Sequence, residues 1–328
     1  MSSKTLEEVT AKLQGALIAA TPVPFDRDGS LHVRGHEAYV RHMATQPING
    51  VAVWAHTGRG LLLNEGTAYS ILNAWCEALP NKLVVAGVGA RDVSGPADGT
   101  ARTLLMAENA ARIGADALLV YPPTWLRDYP GQEQLILRYH ERIARIGLPL
   151  ILFYLYEAAG GIPYTSELLD ELLSLREVVG IKLATLDSVI TFQDLAHQIR
   201  MKHRTKALLT GEDRFLGYSL QCGATGALVG MGAVCCDLQT ELIRSHMAGD
   251  AERFLKLTEA VDALGRVLFR NPIEGYIRRL LWTLAHDDVI PFDATNDPWG
   301  PELSRDEYDE IGAVLASLRG REEFSYKL

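Results

Sequence analysis

The sequence has little cysteine, and its four cysteines are not spaced as metal ligands or as a disulfide framework. They are Cys76, Cys222, Cys235 and Cys236, without a CxxC pair and without a spaced set of histidines. Such a pattern is typical of reduced thiols in a cytosolic protein, and it argues against a structural zinc site or a disulfide-stapled secreted domain. We therefore predict a cytoplasmic protein without a bound metal.

Long apolar runs and clusters of basic residues are also missing. No run approaches membrane-spanning length, and the N-terminal segment lacks the apolar core of a signal peptide. The net charge is −9 and the basic residues are scattered, so the electrostatic footprint of a nucleic-acid binder is absent. The sequence thus predicts neither a membrane nor a nucleic acid as a partner. At 48% hydrophobic residues, the chain nevertheless has ample material for a core.

Short apolar runs recur along the chain, and the first five begin roughly 33 residues apart, the span of one strand, one helix and two loops. The runs cover residues 16–20, 50–54, 83–88, 117–120, 150–155, 178–181, 207–209 and 224–229. Segments with apolar residues at three- and four-residue steps separate them, which indicates helices. Eight such alternations predict an α/β protein with a (βα)8 TIM barrel. A doubly wound sheet fits less well, because no GxGxxG follows the first run.

Past the eighth run the pattern contains helices only. Helical periodicity is present over residues 238–247, 251–268, 274–284 and 305–318, with no strand-like run between them. Only the first of these segments can follow the eighth strand of a barrel. We therefore predict an N-terminal segment over residues 1–14, the barrel over 15–249 and a C-terminal helical extension over 250–328.

A single lysine, Lys182, lies near the end of the sixth apolar run. Burying a charged amine is strongly unfavourable, so a lysine in such a position either reaches water with its amine or loses its proton. A neutral amine in a dry site is a nucleophile. Because the active sites of these barrels lie at the C-terminal ends of the strands, Lys182 is the first catalytic candidate.

Other strand ends supply binding candidates. Thr21 follows the first run, and His56, Thr57, Gly58 and Arg59 follow the second, where threonine and glycine can turn backbone N–H groups toward a carboxylate. Gly226 belongs to the glycines around the eighth run, which either cradle an anion or permit a tight turn. The strand ends therefore predict an anion-binding rim around Lys182.

Two further signals have alternative interpretations. Tyr154, in the fifth run, offers a phenol as a proton relay beside the amine, although aromatic residues in strands more often only pack. Glu212 and Asp213 follow the seventh run and are suited to a divalent metal. No histidine lies near them to complete a ligand set, so we predict instead that Asp213 caps the next helix.

The chain resembles the dihydrodipicolinate synthase and N-acetylneuraminate lyase family of Schiff-base-forming lyases, which are (βα)8 barrels with a C-terminal helical extension. The resemblance covers nearly the whole length, and Gly180-Ile181-Lys182 is its most specific motif. The other shared stretches are Ala20-Thr21-Pro22, Thr57-Gly58, Ala86-Gly87-Val88-Gly89, Leu148-Pro149, Thr210-Gly211-Glu212 and Cys222-Gly223-Ala224-Thr225-Gly226.

The resemblance implies an imine between Lys182 and the carbonyl of pyruvate or another 2-oxo acid, formed without a metal or organic cofactor. It also implies a tyrosine 28 residues earlier as the proton shuttle, and 182 − 28 gives Tyr154. Thr57 would hold the carboxylate of the 2-oxo acid. The family is further associated with homo-oligomers, so a tetramer or dimer is expected.

Departures from the family pattern concern the second half of the substrate. Members commonly carry Gly-Thr-Thr-Gly-Glu after the second strand, whereas His56 and Arg59 here replace a threonine and the glutamate. The tyrosine after strand four and the arginine after strand five of the dihydrodipicolinate synthases have no counterpart in residues 122–125 and 157–160. We therefore predict an aldolase or dehydratase for a 2-oxo acid, such as a keto-deoxy sugar acid, whose polar tail meets His56 or Arg59.

Three alternatives remain at this point. The first is a dihydrodipicolinate synthase-like condensation, which shares the imine. The second is a relative that binds a 2-oxo acid without turnover. The third is a metal-dependent or sugar-phosphate barrel enzyme, for which EDTA sensitivity or an anion near residues 226–232 would be expected.

Overall fold

The computed structural model describes residues 4–186 and 188–320, and its centre is a closed barrel of eight parallel strands in sequence order, with the last strand pairing with the first. The strands are β1 Leu17–Ala20, β2 Gly50–Val53, β3 Leu83–Val88, β4 Ala117–Val120, β5 Leu150–Leu155, β6 Val178–Ala184, β7 Ala207–Thr210 and β8 Gly226–Val229. The predicted (βα)8 barrel is confirmed. Strand β6 continues past the predicted end, so Lys182 lies inside the strand.

Helices surround the barrel and continue past it. They are α1 Leu6–Leu13, α2 Val33–Thr45, α3 Glu65–Ala78, α4 Pro96–Ile113, α5 Gln132–Ala144, α6 Ser166–Ser174, α7 Val189–Lys202, α8 Leu216–Gln221, α9 Cys236–Ala248, α10 Ala251–Leu268, α11 Tyr276–His286 and α12 Arg305–Arg319. Helices α10 to α12 form the C-terminal extension. Within the described residues, no helix has the length and apolar character needed to cross a membrane.

Each strand is apolar on both faces because one face fills the barrel and the other lies under the helices. Alternation along β5 shows this division. Ile151, Phe153 and Leu155 belong to the cluster that fills the barrel, whereas Leu152 and Tyr154 belong to the layer between barrel and helices. Which face a residue occupies therefore follows from its place in the alternation.

The N-terminal helix α1 closes the bottom of the barrel. Its Val9 and Leu13 are fully buried and pack with the interior cluster. A capping box starts the helix, since Glu8 N–H donates to the Thr5 hydroxyl and Thr5 N–H donates to the Glu8 carboxylate. This stretch was predicted only as an N-terminal segment, although its Thr-x-x-Glu pattern signals a helix start.

The pairing between β5 and β6 contains an irregularity that decides the geometry of the site. Leu150 pairs with Val178, but the next residue, Ile151, pairs with Gly180. One extra residue of β6 is thus accommodated, as in a β-bulge. From there the register continues regularly, and Lys182 lies opposite Phe153.

Candidate active site

Lys182 projects into the barrel near the C-terminal ends of the strands and is almost completely buried, with 6% of its surface exposed. Its amine lies 4.4 Å from the centroid of the Phe153 ring. The face of an aromatic ring attracts a cation at this distance. Gly211 leaves room for the lysine stem, because a Cβ atom there would lie 2.7 Å from Lys182 Cε and 2.8 Å from the Leu183 carbonyl oxygen. A side chain at position 211 would therefore displace the lysine.

The environment of Lys182 shifts its protonation equilibrium toward the neutral amine. Burial lowers the pKa of the amine to about 8, and the nearby Asp213 and Glu212 carboxylates only partly oppose this shift. Burial also raises the pKa of Asp213 to about 6 and that of Glu212 to about 7. The site therefore holds an amine and two carboxyl groups whose pKa values are close enough for proton exchange near neutral pH.

The two carboxylates have different partners. Glu212 accepts hydrogen bonds from the Thr185 hydroxyl and the Leu186 N–H, at 2.9 and 3.1 Å, and so fixes the chain after β6. Asp213 accepts from Met231 N–H at 2.6 Å. The predicted helix cap at Asp213 is wrong, because α8 starts later, after Phe215. The Asp213 carboxylate instead accepts a hydrogen bond from the loop after β8.

No three or more His, Cys, Asp or Glu side chains group as metal ligands among residues 4–186 and 188–320. Glu212 and Asp213 accept hydrogen bonds from the segments that follow β6 and β8.

The structure contradicts the predicted placement of Tyr154 beside Lys182. Tyr154 lies outside the barrel, where its ring packs edge-on against Tyr164 at a centroid distance of 5.9 Å. Successive residues of a strand point to opposite faces, so the extra residue in β6 brings Phe153 to the lysine. Counting 28 residues back from Lys182 missed this irregularity. The side chain that faces the amine thus carries no hydroxyl.

Thr57 lies in the turn after β2, where its predicted role as a carboxylate partner stays a prediction. His56, Thr57 and Gly58 form one 3₁₀ turn, and the Thr57 hydroxyl shares a 3.1 Å hydrogen bond with the hydroxyl of Tyr276. Thr21 follows β1 directly and is buried, and a Cβ atom on Gly58 would lie 2.9 Å from its carbonyl oxygen. Thr21 and Gly58 therefore set the position of the turn by close backbone packing.

A cavity of about 450 Å³ opens above this region, at the C-terminal ends of β2 to β5. Its lining includes the predicted residues His56 and Arg59, together with Tyr121, Leu155 and Glu274. Lys182 is not one of the described residues that line the cavity. It lies one side-chain layer deeper, beside Phe153. The centroid of the Phe153 ring is 5.4 Å from that of Tyr121, which is in the cavity wall.

Arg59 links the cavity wall to the C-terminal extension. Its guanidinium donates to the Asp297 carboxylate at 2.8 and 3.3 Å and to Glu274 at 2.6 Å. His56 Nε2 lies 3.0 Å from the same Glu274, and these contacts with His56 and Arg59 lower the pKa of Glu274 to about 2. The guanidinium is thus engaged by two carboxylates, whereas His56 contacts one.

Gly226 lies at the wrong end of the barrel for a binding role. It begins β8, and a Cβ atom there would lie 2.7 Å from the Leu13 carbonyl oxygen at the base of the barrel. The glycine of the site is Gly230, just past the end of β8, whose Cβ would lie 3.1 Å from the Tyr276 ring and 3.3 Å from the Thr57 hydroxyl.

Tyr276 is the main residue of this region that sequence reasoning missed. It begins α11 in the C-terminal extension, far along the chain from Thr57, and no motif pointed to it.

Comparisons with known proteins match the chain to one family over nearly its whole length. The model of the "Dihydrodipicolinate synthetase family" matches residues 13–318. The 4-hydroxy-tetrahydrodipicolinate synthase of Stenotrophomonas maltophilia is 30% identical over 305 residues, covering 88% of this chain and 95% of that protein.

Solved structures share the fold. Dihydrodipicolinate synthase from Oceanobacillus iheyensis superposes with a TM-score of 0.81 at 18% identity, covering 96% of this chain and 100% of that one. N-acetylneuraminate lyase from Mycoplasma synoviae superposes with a TM-score of 0.75 at 21% identity, covering 93% and 98% of the two chains. On the family match, which spans nearly the whole sequence, the chain belongs to the dihydrodipicolinate synthetase family.

Proposed function

We propose that this protein is a Schiff-base-forming lyase that acts on a 2-oxo acid through an imine on Lys182. The observation that carries the proposal is the buried amine of Lys182, which faces the barrel interior near the strand ends with its pKa lowered to about 8. A neutral amine attacks the C2 carbonyl, and the resulting protonated imine draws electrons from the neighbouring bonds of the substrate. The chemistry requires no metal ion or organic cofactor.

Thr57 is the proposed partner of the substrate carboxylate. It lies in a tight turn at the end of β2, and its hydroxyl is already ordered by Tyr276. Backbone N–H groups in such a turn bind an anion without reorganisation. Thr21 and Gly58 support the turn from below, and they act by positioning it.

The cavity suggests a substrate larger than pyruvate. At about 450 Å³ it exceeds what a three-carbon acid fills, and it lies directly above the lysine layer. His56 is the proposed contact for a polar tail, because Arg59 is already engaged by Glu274 and Asp297. A hydroxylated 2-oxo acid, such as a keto-deoxy sugar acid, fits these walls, and aldol cleavage or dehydration both follow from the imine. The family resemblance supports a dimer or tetramer as the working form.

The experiment that tests this function is reductive trapping. Wild-type protein incubated with pyruvate and borohydride is expected to gain one reduced imine adduct, the mass of reduced pyruvate less one water, located by peptide mapping on Lys182. Absence of an adduct, with pyruvate and with a panel of 2-oxo acids bearing hydroxylated tails, contradicts the proposal. Product analysis of the same panel, for pyruvate release or water loss, then separates cleavage from dehydration.

The rate of adduct formation is expected to depend on pH in a way that reports the lowered pKa. Below a pKa of about 8 the neutral fraction of Lys182 falls, so the rate should drop about tenfold per pH unit. Above that pH the rate should level off. Timed borohydride quenches across a pH series measure it, and a rate that keeps rising to pH 10 would indicate an ordinary, solvated lysine.

One observation favours a second candidate, a relative that binds a 2-oxo acid without turnover. Phe153 occupies the position opposite Lys182, where a hydroxyl would serve as a proton relay. This candidate predicts an adduct in the trapping experiment but no cleaved or dehydrated product from any member of the panel.

A further inference from the structure

Imine chemistry needs a group that moves protons between nitrogen and oxygen, and β5 does not supply it. Phe153 faces Lys182 and has no proton to give, whereas Tyr154 lies on the outer face of the barrel against Tyr164. The inference that follows rests on the proposed function, and it concerns which other side chain of this protein carries the proton.

Among the described residues, two tyrosines reach the mouth of the barrel from elements other than β5 and the turn that follows it. Tyr121, after β4, packs against Phe153, and its hydroxyl donates to the Trp54 carbonyl oxygen at 3.1 Å. This carbonyl is an acceptor only, so it cannot return a proton to the phenol. Tyr276 instead shares its hydrogen bond with the Thr57 hydroxyl, which both donates and accepts.

Tyr276 is held against the ends of the strands that surround Lys182. Its ring stacks on Phe269 at a centroid distance of 4.9 Å, and it passes so close to Gly230 that a Cβ there would meet it at 3.1 Å. The next residue, Met231, donates its N–H to Asp213. Asp213 therefore fixes the loop after β8 that packs against Tyr276.

The electrostatic coupling follows the same path. The charge of Asp213 acts on Lys182 and also on Tyr276, so both side chains lie within reach of one carboxylate. Burial raises the pKa of Tyr276 well above its usual value, which keeps the phenol protonated before substrate enters. The resting site thus contains a neutral phenol hydrogen-bonded to the Thr57 hydroxyl.

We propose that Tyr276, contributed by the C-terminal extension, is the catalytic hydroxyl that transfers the proton during imine formation at Lys182. Thr57 orients this hydroxyl through their shared hydrogen bond. The tyrosine at the substrate carbonyl thus comes from α11, and not from β5, the strand that pairs with β6 beside Lys182.

The proposed step balances as follows. The Lys182 nitrogen forms a bond to C2, and the carbonyl electron pair moves to oxygen, which takes the proton of Tyr276. The phenolate takes a proton from the new ammonium nitrogen. In the second half, Tyr276 protonates the C2 hydroxyl, water leaves, and the nitrogen lone pair forms the protonated imine. The phenolate then accepts a proton from the substrate in the cleavage or elimination that follows.

The test compares three phenylalanine substitutions and one rescue. Tyr276→Phe is expected to slow adduct formation with pyruvate by a factor on the order of 10² or more, measured by timed borohydride quenches. The final extent of trapping should approach that of the wild type, since Lys182 is intact. Tyr154→Phe is the matched control, and its rate of adduct formation should stay within about twofold of the wild type. The Tyr154 side chain lies on the outer face of the barrel, so it does not contact the substrate. Tyr121→Phe tests the other tyrosine of the barrel mouth, and adduct formation should be faster in it than in Tyr276→Phe.

Rescue separates proton transfer from packing. Phe153→Tyr placed in the Tyr276→Phe background returns a hydroxyl opposite Lys182, and it should recover at least tenfold of the lost rate. Recovery supports the proposal, as does a slow Tyr276→Phe protein with the unfolding temperature of the wild type. The proposal is overturned if Tyr276→Phe keeps the wild-type rate, if Tyr121→Phe is the slower variant, or if a slow Tyr276→Phe protein also unfolds earlier and is not rescued. A wild type that forms no adduct would refute the proposed function itself.

Discussion

Replacing Lys182 by methionine is expected to abolish the borohydride-trapped adduct and to lower turnover of the substrate by a factor on the order of 10⁵. Methionine preserves the length of the stem in its slot above Gly211, so the fold should be retained. What is lost is the nitrogen that forms the covalent bond, and no other described amine lies in the barrel interior to replace it. Intact mass and product assays measure the two effects.

Lys206→Ala provides the matched control. Lys206 precedes β7 at the opposite end of the barrel, where its amine donates to the carbonyl oxygen of Val178 at 2.6 Å. Removing it should lower stability while leaving trapping and turnover within about threefold, because it is remote from the strand ends that form the site. A Lys182→Met protein that still forms the adduct, or a Lys206→Ala protein that fails to, would place the reacting amine elsewhere.

Arg59→Met is expected to lower the free energy of unfolding by about 3 kcal/mol, because removing one partner leaves a buried carboxylate uncompensated. Asp297 is 1% exposed and would lose the guanidinium that donates to both of its oxygens. Glu274 is more exposed and should contribute less. Denaturant unfolding followed by a global probe measures the change.

Arg91→Met tests whether burial is the cause. Arg91 lines the same cavity, but its side chain is 56% exposed and its pair with Asp92 is 3.5 Å long. Exposed pairs of this kind contribute little, so the free energy of unfolding should change by no more than about 0.5 kcal/mol. Equal effects in the two variants would show that the Arg59 contacts are no stronger than a surface pair.

Much of the fold was predictable because buried parallel strands are apolar on both faces. Strands β3, β4 and β5 were predicted with their observed bounds, and the others within three residues at either end. A (βα)8 barrel then requires the chain to place each strand's C-terminal end on one rim. Lys182, Thr57, His56 and Arg59 could therefore be assigned to that rim from the sequence.

Residue counting failed where the backbone departs from regular register. A sequence separation of 28 residues from Lys182 led to Tyr154. In the structure, Ile151 pairs with Gly180, which leaves one residue of β6 unpaired and places Phe153 opposite the lysine. A shift of one residue exchanges the two faces of a strand, so a small local irregularity reverses the assignment. Similarly, Gly226 was placed at the rim although β8 only begins there.

The sequence by itself determined the barrel, the strand that carries Lys182 and the rim on which the chemistry lies, because apolar runs and their spacing encode these directly. Only the tertiary structure decided which side chains surround the amine. Phe153 faces it through an irregular strand pairing, and Tyr276 approaches Thr57 from a helix far along the chain. Contacts of that kind depend on how the C-terminal extension packs over the barrel, and no local pattern in the sequence specifies them.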